Sequence, residues 1–313
     1  MRAVVISDGG VTVEQRPDPE PGSHEVLVKV RAAGLNNADI LQRQGNYPPP
    51  PGVPADMPGM EFAGEVVAGG PGADRFPVGE RVMGLIGGAG QAELVTVHER
   101  MLMPVPAKLD WSAAGAVPEV FTTAHDALFT QCGLVPGERL LVHGGAGGVG
   151  IAAVQIGRAA GARVCATVRN PKHRDTVAQL GATVLSPDDF VDEGPYDVVL
   201  ELVGATNMLN NLRALRSGGR ISVIGTGGGA TVDDFPLGLL MARRGRIHGS
   251  TLRGRSLEEK ALAARAVERS VLPLFSNGAL CVPLHKTFPL AEAAEAYDCF
   301  AAGAKLGKIV LTV

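Results

Sequence analysis

Segment 139–150, RLLVHGGAGGVG, constrains the fold of this chain more than any other segment. Its apolar start predicts a buried strand, and the residues that follow the glycines are spaced as in a helix. The glycines match G-x-G-x-x-G, which between a strand and a helix predicts a pyrophosphate bound at the helix N-terminus. A plain flexible loop is the alternative, which the flanking patterns disfavour. The backbone expected to contact the phosphates is that of Gly145, Ala146, Gly147, Gly148, Val149 and Gly150.

Strand and helix patterns alternate after this segment, which is typical of a doubly wound parallel sheet, the Rossmann arrangement. We therefore assign residues 118–255 to an α/β dinucleotide-binding domain. A helix is expected over 121–131 in this domain. Outside it, a long helix is expected over 256–275, and Ser112 is expected to cap a helical region that begins at residues 111–112. Further strands of this domain are expected at 163–168, 182–185, 197–203, 220–225 and 246–252.

The first hundred residues are rich in strand and turn patterns, which predict a compact, barrel-like β domain. The closing apolar segment, 307–313, is expected to pair back into it, because chain termini often lie close together. We assign residues 1–117 and 256–313 to this domain. Its strands are expected at 3–7, 11–15, 25–33, 61–68, 81–86 and 92–97.

The composition of the chain disfavours several classes of binding partner, nucleic acid and membranes among them. A net charge of −3 offers no electrostatic attraction for nucleic acid or anionic membranes. No apolar run is long enough to span a bilayer, and the N-terminal residues resemble a first strand rather than a signal peptide. The four cysteines are scattered and form no C-x-x-C pair, which disfavours a zinc lobe or a disulfide framework. We expect a reduced, cytoplasmic protein.

The end of the second Rossmann strand predicts which dinucleotide binds. A site that prefers NAD carries an acid there, but this chain continues Thr167-Val168-Arg169-Asn170. Arg169 is the best partner for a 2′-phosphate, and Lys172 and Arg174 follow closely. These cations therefore favour NADPH, with solvated residues of a helix start as the alternative. We count Thr167, Arg169, Lys172 and Arg174 among the cofactor-binding residues.

Two further features point to a substrate site. Gly225 and Gly227 follow the fifth Rossmann strand, where they either let backbone approach the nicotinamide or form an ordinary long turn. Tyr47 lies in a proline-rich loop, and its phenol could donate to a carbonyl oxygen that gains charge during hydride transfer. Packing of its ring on the prolines is the alternative.

Hydrolytic and metal chemistry are disfavoured by the motifs. The chain has no G-x-S-x-G segment, and His98-Glu99 is followed by Leu102 where a metalloprotease helix needs its second histidine. The seven histidines stand apart from the cysteines and from one another, so no metal is expected.

The chain resembles the zinc-free quinone oxidoreductases of the medium-chain dehydrogenase/reductase superfamily, the zeta-crystallin-like group. The resemblance runs end to end and is strongest at 34–39 (GLNNAD), 142–150 and 307–311 (GKIVL). Segment 41–47 and the prolines after it are most similar to the tumour-suppressor-induced quinone oxidoreductase branch. The resemblance implies a GroES-like catalytic domain formed by both termini, a Rossmann domain between them, bound NADPH and a homodimer.

The resemblance also implies roles for individual residues. Asn36 and Tyr47 match polar residues of the substrate pocket, and Lys308 matches a basic position near the cofactor phosphates. Thr122 and Thr123 match a helix start that faces the nicotinamide. Zinc-dependent relatives have Gly-His-Glu where this chain has Gly-Met-Glu at 59–61, and a cysteine where it has asparagine at 36 or 37.

Together these observations predict metal-free hydride transfer from NADPH to a quinone or related conjugated carbonyl. Reduction of enoyl thioesters or other alkenes is an alternative, because the same cofactor geometry serves 1,4-addition. A dinucleotide-binding protein with little catalysis is a third possibility, from a different functional class.

Overall fold

The computed structural model describes residues 1–313, which form two compact units. Unit 1 comprises Met1–Thr122 and Leu252–Val313, and unit 2 comprises Thr123–Thr251. The sequence patterns predict divisions a few residues away, after residues 117 and 255. No helix combines the length and hydropathy needed to cross a membrane.

The secondary-structure elements follow one another along the chain in three stretches. The first part of the chain contains β1 Arg2–Ser7, β2 Gly10–Gln15, β3 Glu25–Gly34, α1 Asn37–Arg43, β4 Glu61–Gly69, β5 Arg81–Leu85, β6 Leu94–His98, β7 Leu102–Pro104, α2 Trp111–Ala114 and α3 Pro118–His125. The middle contains β8 Arg139–Val142, α4 Gly148–Ala159, β9 Arg163–Thr167, α5 Arg174–Gln179, β10 Thr183–Leu185, β11 Tyr196–Glu201, α6 Ala205–Ala214, β12 Leu215–Val223, α7 Leu237–Arg243 and β13 Arg246–Gly249. The last part contains α8 Leu257–Ser270, α9 Leu272–Ser276, β14 Leu284–Pro289, α10 Ala293–Ala301 and β15 Lys308–Thr312.

Unit 1 is built on a seven-stranded sheet in the order β14-β15-β3-β4-β5-β7, with β6 paired to β3. The strand β15 runs antiparallel to β3, with Val310 opposite Gly34, which confirms that the C-terminal strand pairs with the first domain. Alternate residues of β3, namely Val26, Val28 and Val30, are buried in the core, as the two-residue period of a strand requires.

Unit 2 is a six-stranded parallel sheet in the order β10-β9-β8-β11-β12-β13. This order is that of a doubly wound Rossmann sheet, as predicted. The direction of winding reverses between β8 and β11, and ligands of such sheets bind at the carboxyl ends of the strands at that point.

Three local predictions differ from the structure in detail. Residues 121–131 are helical, as expected, but the helix begins earlier, because Pro118 suits the first helical position, and its second half is a π-helical turn over Asp126–Gln131. Asp110, not Ser112, caps α2, and its carboxylate accepts from the Ala113 backbone N–H at 2.7 Å. The helix expected over 256–275 is split into α8 and α9 at Val271, since Pro273 cannot continue the hydrogen bonding of α8.

Candidate functional site

The glycine turn of unit 2 joins β8 to α4 at the point where the winding reverses. Gly144 adopts a left-handed backbone with φ of +67°, and α4 begins at Gly148. A Cβ on Gly145 would lie 2.8 Å from the Ala166 side chain, and one on Gly150 would lie 2.3 Å from the Gly144 carbonyl oxygen. The turn therefore needs glycine at both positions, and the unpaired N–H groups of the first α4 turn suit an anion.

Three cationic residues follow the carboxyl end of β9, which runs parallel to β8. Arg169 and Lys172 are exposed, and neither side chain forms an ion pair or a hydrogen bond. Arg174 is half-buried, and its Nε donates to the Val168 carbonyl at 3.2 Å. Because no carboxylate neutralises them, these side chains fit the predicted site for a phosphate.

A buried polar network lies directly beneath the glycine turn. His143 is 1% exposed, and its Nε2 lies 2.8 Å from Asn211 Oδ1. The Asn211 amide donates to Glu201 Oε2 at 2.7 Å, and Glu201 Oε1 accepts from the N–H groups of Val203 and Gly204. The network thereby ties the end of β8 to the end of β11.

Burial lowers the pKa of His143, against an opposing effect from Glu201, so the imidazole is neutral at pH 7. The acceptor at Asn211 Oδ1 places the proton on Nε2, and Nδ1 then accepts from the Thr167 hydroxyl at 3.1 Å. The sequence alone presents His143 as an isolated histidine, because its partners lie far away in the chain.

The loop after β12 lies against the end of β11. A Cβ on Gly225 would lie 2.2 Å from the Leu202 carbonyl oxygen, whereas Gly227 has open space around it. Close packing therefore accounts for the first of these glycines. The approach of this loop to a nicotinamide stays a prediction.

A second buried network joins distant segments of unit 1. Lys308 donates to the Leu35 carbonyl at 2.7 Å, to Asn36 Oδ1 at 2.6 Å, and forms an ion pair with Glu61 Oε1 at 2.6 Å. The Asn36 amide donates to the same Glu61 oxygen at 2.9 Å. Glu61 Oε2 accepts from the backbone N–H of Glu119 at 2.8 Å, so a carboxylate lies at the N-terminus of α3.

Asp39 is fully buried beside this network. Its carboxylate accepts from the N–H of Asn36 at 2.8 Å and from the N–H of Gly59 at 3.0 Å. Burial nevertheless raises the pKa of Asp39 from 3.8 to about 6, because the two hydrogen bonds and Lys308 only partly offset desolvation.

Tyr47 packs on an apolar cluster of unit 1 that includes Met60, Leu85 and Leu252. Its hydroxyl has no hydrogen-bond partner, and burial raises the pKa of Tyr47 against an opposing effect from Arg253. The phenol is therefore protonated at neutral pH and available as a donor.

Arg253 holds the Tyr47 loop. It is 2% exposed, and its guanidinium donates to the carbonyl oxygens of Tyr47 and Gly87, each at 2.8 Å, and to Gln42 Oε1. The guanidinium carbon lies 5.1 Å from the centroid of the Tyr47 ring. Sequence reasoning missed Arg253, because nothing in its own loop marks it as buried.

Comparison with known proteins identifies the family of this chain. The family described as "Alcohol dehydrogenase GroES-like domain" matches residues 22–107, and the family described as "Zinc-binding dehydrogenase" matches residues 148–268. Human quinone oxidoreductase is 33% identical to this chain over an alignment 329 residues long, gaps included. The alignment covers 99% of this chain and 97% of that protein. The chain belongs to the quinone oxidoreductase family. As a member of the medium-chain dehydrogenase/reductase superfamily, it is an oxidoreductase that binds a nicotinamide cofactor.

Solved structures agree with this assignment. An alcohol dehydrogenase superfamily protein from Novosphingobium aromaticivorans has a TM-score of 0.88 at 31% identity, covering 100% of this chain and 99% of that one. CurK enoyl reductase has a TM-score of 0.87 at 26% identity, covering 99% and 98% of the two chains. The predicted combination of a Rossmann domain and a GroES-like domain is confirmed.

Two of the predicted cofactor residues have partners within the protein. Lys308 is 4% exposed and its ammonium binds acceptors within unit 1, so its predicted place near cofactor phosphates stays a prediction. Thr167 is 3% exposed, and its hydroxyl faces His143 and the Gly144 N–H, so it supports the glycine turn from within.

Three further predicted site residues, Asn36, Thr122 and Thr123, are buried. Thr122 and Thr123 lie in the second turn of α3 rather than at its start, since the helix begins at Pro118. The Thr122 hydroxyl has no hydrogen-bond partner. Asn36 is 6% exposed and uses its amide in the Glu61 network, so its substrate contact stays a prediction. No three His, Cys, Asp or Glu side chains are grouped to hold a metal ion.

The raised pKa of Asp39 predicts a pH-dependent term in stability. Because the folded pKa of about 6 exceeds the ordinary value of 3.8, ionisation opposes folding, and stability falls as pH rises between these values. Denaturant unfolding of wild type and Asp39→Asn across pH 4 to 7 should show the difference in unfolding free energy, wild type minus variant, falling by about 2 to 3 kcal/mol. Asp298→Asn, at a carboxylate that is 80% exposed, is the control. A constant difference for Asp39→Asn would contradict this assignment.

Proposed function

We propose that this protein transfers a hydride from NADPH to a quinone or a related conjugated carbonyl without a catalytic metal. The observation that carries the proposal is a phenol, that of Tyr47, with a free hydroxyl on an apolar wall beside the buried Arg253. An apolar wall suits a flat ring, and a donor beside a cation suits an oxygen that gains negative charge.

The residues of unit 2 fit a dinucleotide. The glycine turn and the first turn of α4 would hold the pyrophosphate, and Arg169, with Lys172 and Arg174, would hold a 2′-phosphate. When bound, the nicotinamide supplies the hydride. The network of His143, described above, keeps the shape of the turn that receives the phosphates.

The residues of unit 1 would act on the acceptor. Tyr47 would donate a hydrogen bond to the carbonyl oxygen, and the proton comes either from this phenol or from solvent. Metal-free chemistry is supported by the Glu61 network, in which the Lys308 ammonium already balances the carboxylate charge. Apolar side chains beside Tyr47 would exclude water from the acceptor.

Enoyl-thioester reduction is the second candidate, and the similarity to CurK enoyl reductase favours it. A panel of acceptors, assayed with NADPH and with NADH, separates the candidates. We expect turnover of small quinones with NADPH. Turnover of enoyl thioesters without any quinone turnover would replace the first proposal with the second. Tight NADPH binding with no turnover of any acceptor would indicate a binding protein.

We also propose a homodimer located in the cytoplasm. The edge strand β13 carries Ile247, and the neighbouring α7 exposes Leu237 (65%) and Met241 (75%), an apolar surface that a second copy would cover. Sedimentation equilibrium tests the dimer, and a monomer at micromolar concentration would refute it. No disulfide joins any of the four cysteines, which is consistent with a reducing compartment.

The role of Arg169 predicts a change in cofactor preference. Arg169→Gln removes the guanidinium that would pair with the 2′-phosphate, so the KM for NADPH should rise about 10-fold or more. The KM for NADH should not change. Steady-state kinetics with both cofactors measures the effect, and Arg213→Gln, at an exposed arginine of α6, is the control. Equal changes for both cofactors would remove Arg169 from phosphate recognition.

The role of Tyr47 predicts a loss of catalysis without a loss of fold. Tyr47→Phe keeps the ring on its cluster but removes the donor, so kcat/KM for a quinone should fall roughly 10- to 100-fold. Tyr196→Phe is the matched control, because its hydroxyl donates to the Phe190 carbonyl within the core of unit 2. An unchanged kcat/KM in Tyr47→Phe would leave packing as the role of Tyr47.

A further inference from the structure

The loop that carries Tyr47 has few backbone donors with which to fix its own position. Four prolines, residues 48–51, follow Tyr47, and none of them has an N–H group to donate. Gly45 and Gly52 flank this segment in the left-handed region, with φ of +76° and +87°, and a Cβ on either would meet nothing within 4 Å. The placement of the Tyr47 ring therefore depends largely on groups that other segments bring to it.

Arg253 binds this loop directly. One of its terminal nitrogens donates to the Tyr47 carbonyl oxygen at 2.8 Å, and its other two nitrogens donate to the Gly87 carbonyl and to Gln42 Oε1. A single guanidinium thus ties the Tyr47 loop to the turn after β5 and to α1. Its carbon also lies 5.1 Å from the centroid of the Tyr47 ring, so Arg253 interacts with both the backbone and the ring of that residue.

The charge of Arg253 is buried and is not neutralised by an ion pair. All three of its hydrogen-bond acceptors are neutral oxygens, and the residue is 2% exposed. Burial raises the pKa of the Tyr47 phenol, the charge of Arg253 lowers it, and the carboxylate of Glu119 raises it. Arg253 is therefore the group that opposes desolvation of the phenolate, the form of Tyr47 that remains after a proton leaves.

We propose that Arg253 is a positioning residue for proton donation by Tyr47. Its guanidinium holds the donor loop, and its charge stabilises the phenolate. In the step that this assists, the phenol O–H bond breaks and an O–H bond forms on the acceptor oxygen that hydride addition has made negative. Solvent then returns a proton to the phenolate. This role rests on the proposed function for its acceptor, whereas the coupling between Arg253 and Tyr47 does not.

Fluorine NMR of the protein labelled with fluorotyrosine tests the coupling without turnover. The chain has three tyrosines, and loss of one resonance in Tyr47→Phe assigns the signal of Tyr47. Arg253→Met should raise the pKa of the labelled Tyr47, because the nearby positive charge is lost. Arg253→Lys, which keeps a charge, should leave that pKa closer to the wild-type value.

Arg81→Met is the matched control for this titration. Arg81 donates to the Leu109 carbonyl at 2.8 Å, and its guanidinium carbon lies 4.3 Å from the centroid of the Trp111 ring. It therefore makes the same two kinds of contact as Arg253, on an aromatic residue other than Tyr47. Its loss should not move the pKa of the labelled Tyr47.

Steady-state kinetics tests whether Arg253 acts through Tyr47. Arg253→Met should lower kcat/KM for a quinone roughly 10-fold, and the double variant with Tyr47→Phe should be no slower than Tyr47→Phe alone. Arg253→Lys should fall between wild type and Arg253→Met, because an ammonium keeps the charge but lacks the planar fork that binds three acceptors. Arg81→Met should retain the wild-type kcat/KM.

The outcomes separate this inference from the proposed function. A shifted pKa in labelled Arg253→Met, with no quinone turnover by wild type, would refute the reaction but keep the coupling. Turnover that Tyr47→Phe slows and Arg253→Met does not would overturn the positioning role alone. An unchanged pKa, or additive losses in the double variant, would also overturn it. If circular dichroism shows Arg253→Met to be unfolded, Arg253→Lys decides, and an unchanged kcat/KM in that variant would refute the role.

Discussion

A buried ion pair between Glu61 and Lys308 connects several distant segments of unit 1. It joins the C-terminal strand to β4, and through Asn36 and the N-terminus of α3 it reaches two further segments. Gly34 is part of the same constraint, since a Cβ there would lie 2.3 Å from Glu61 Oε1. Removing one partner of such a pair leaves a buried charge, which typically costs about 3 to 5 kcal/mol.

Unit 2 contains a comparable arrangement around another glutamate. Glu201 is fully buried, accepts from two backbone N–H groups at the end of β11, and is linked through Asn211 to His143. In each unit a buried carboxylate thus satisfies backbone donors where a helix begins or a strand ends. These hydrogen bonds to buried carboxylates hold the start of α3 and the end of β11 in position, and the network of Glu201 also supports the glycine turn.

Some lysine and arginine side chains bind acceptors within the fold, and others have no ion-pair or hydrogen-bond partner. Lys308 is saturated by acceptors inside unit 1, and Arg220 is paired with Glu138 at 2.7 Å in unit 2, so both act within the fold. Arg169, Lys172 and Lys260 have no such partners. A cation without a partner in the protein is well placed to bind an anionic ligand, and this division supports the role proposed for Arg169 and Lys172 at a phosphate.

Features whose physical requirement is local can be predicted from the sequence. Gly145 and Gly150 were recognisable because the turn leaves no room for a Cβ, and the parallel sheet followed from alternating patterns of period 2 and 3.6. The partners of Lys308, Thr167 and His143 could not be predicted in this way, because the fold brings them from distant parts of the chain. A side chain's burial and charge balance depend on what other segments bring to it, and no local pattern of residues encodes that.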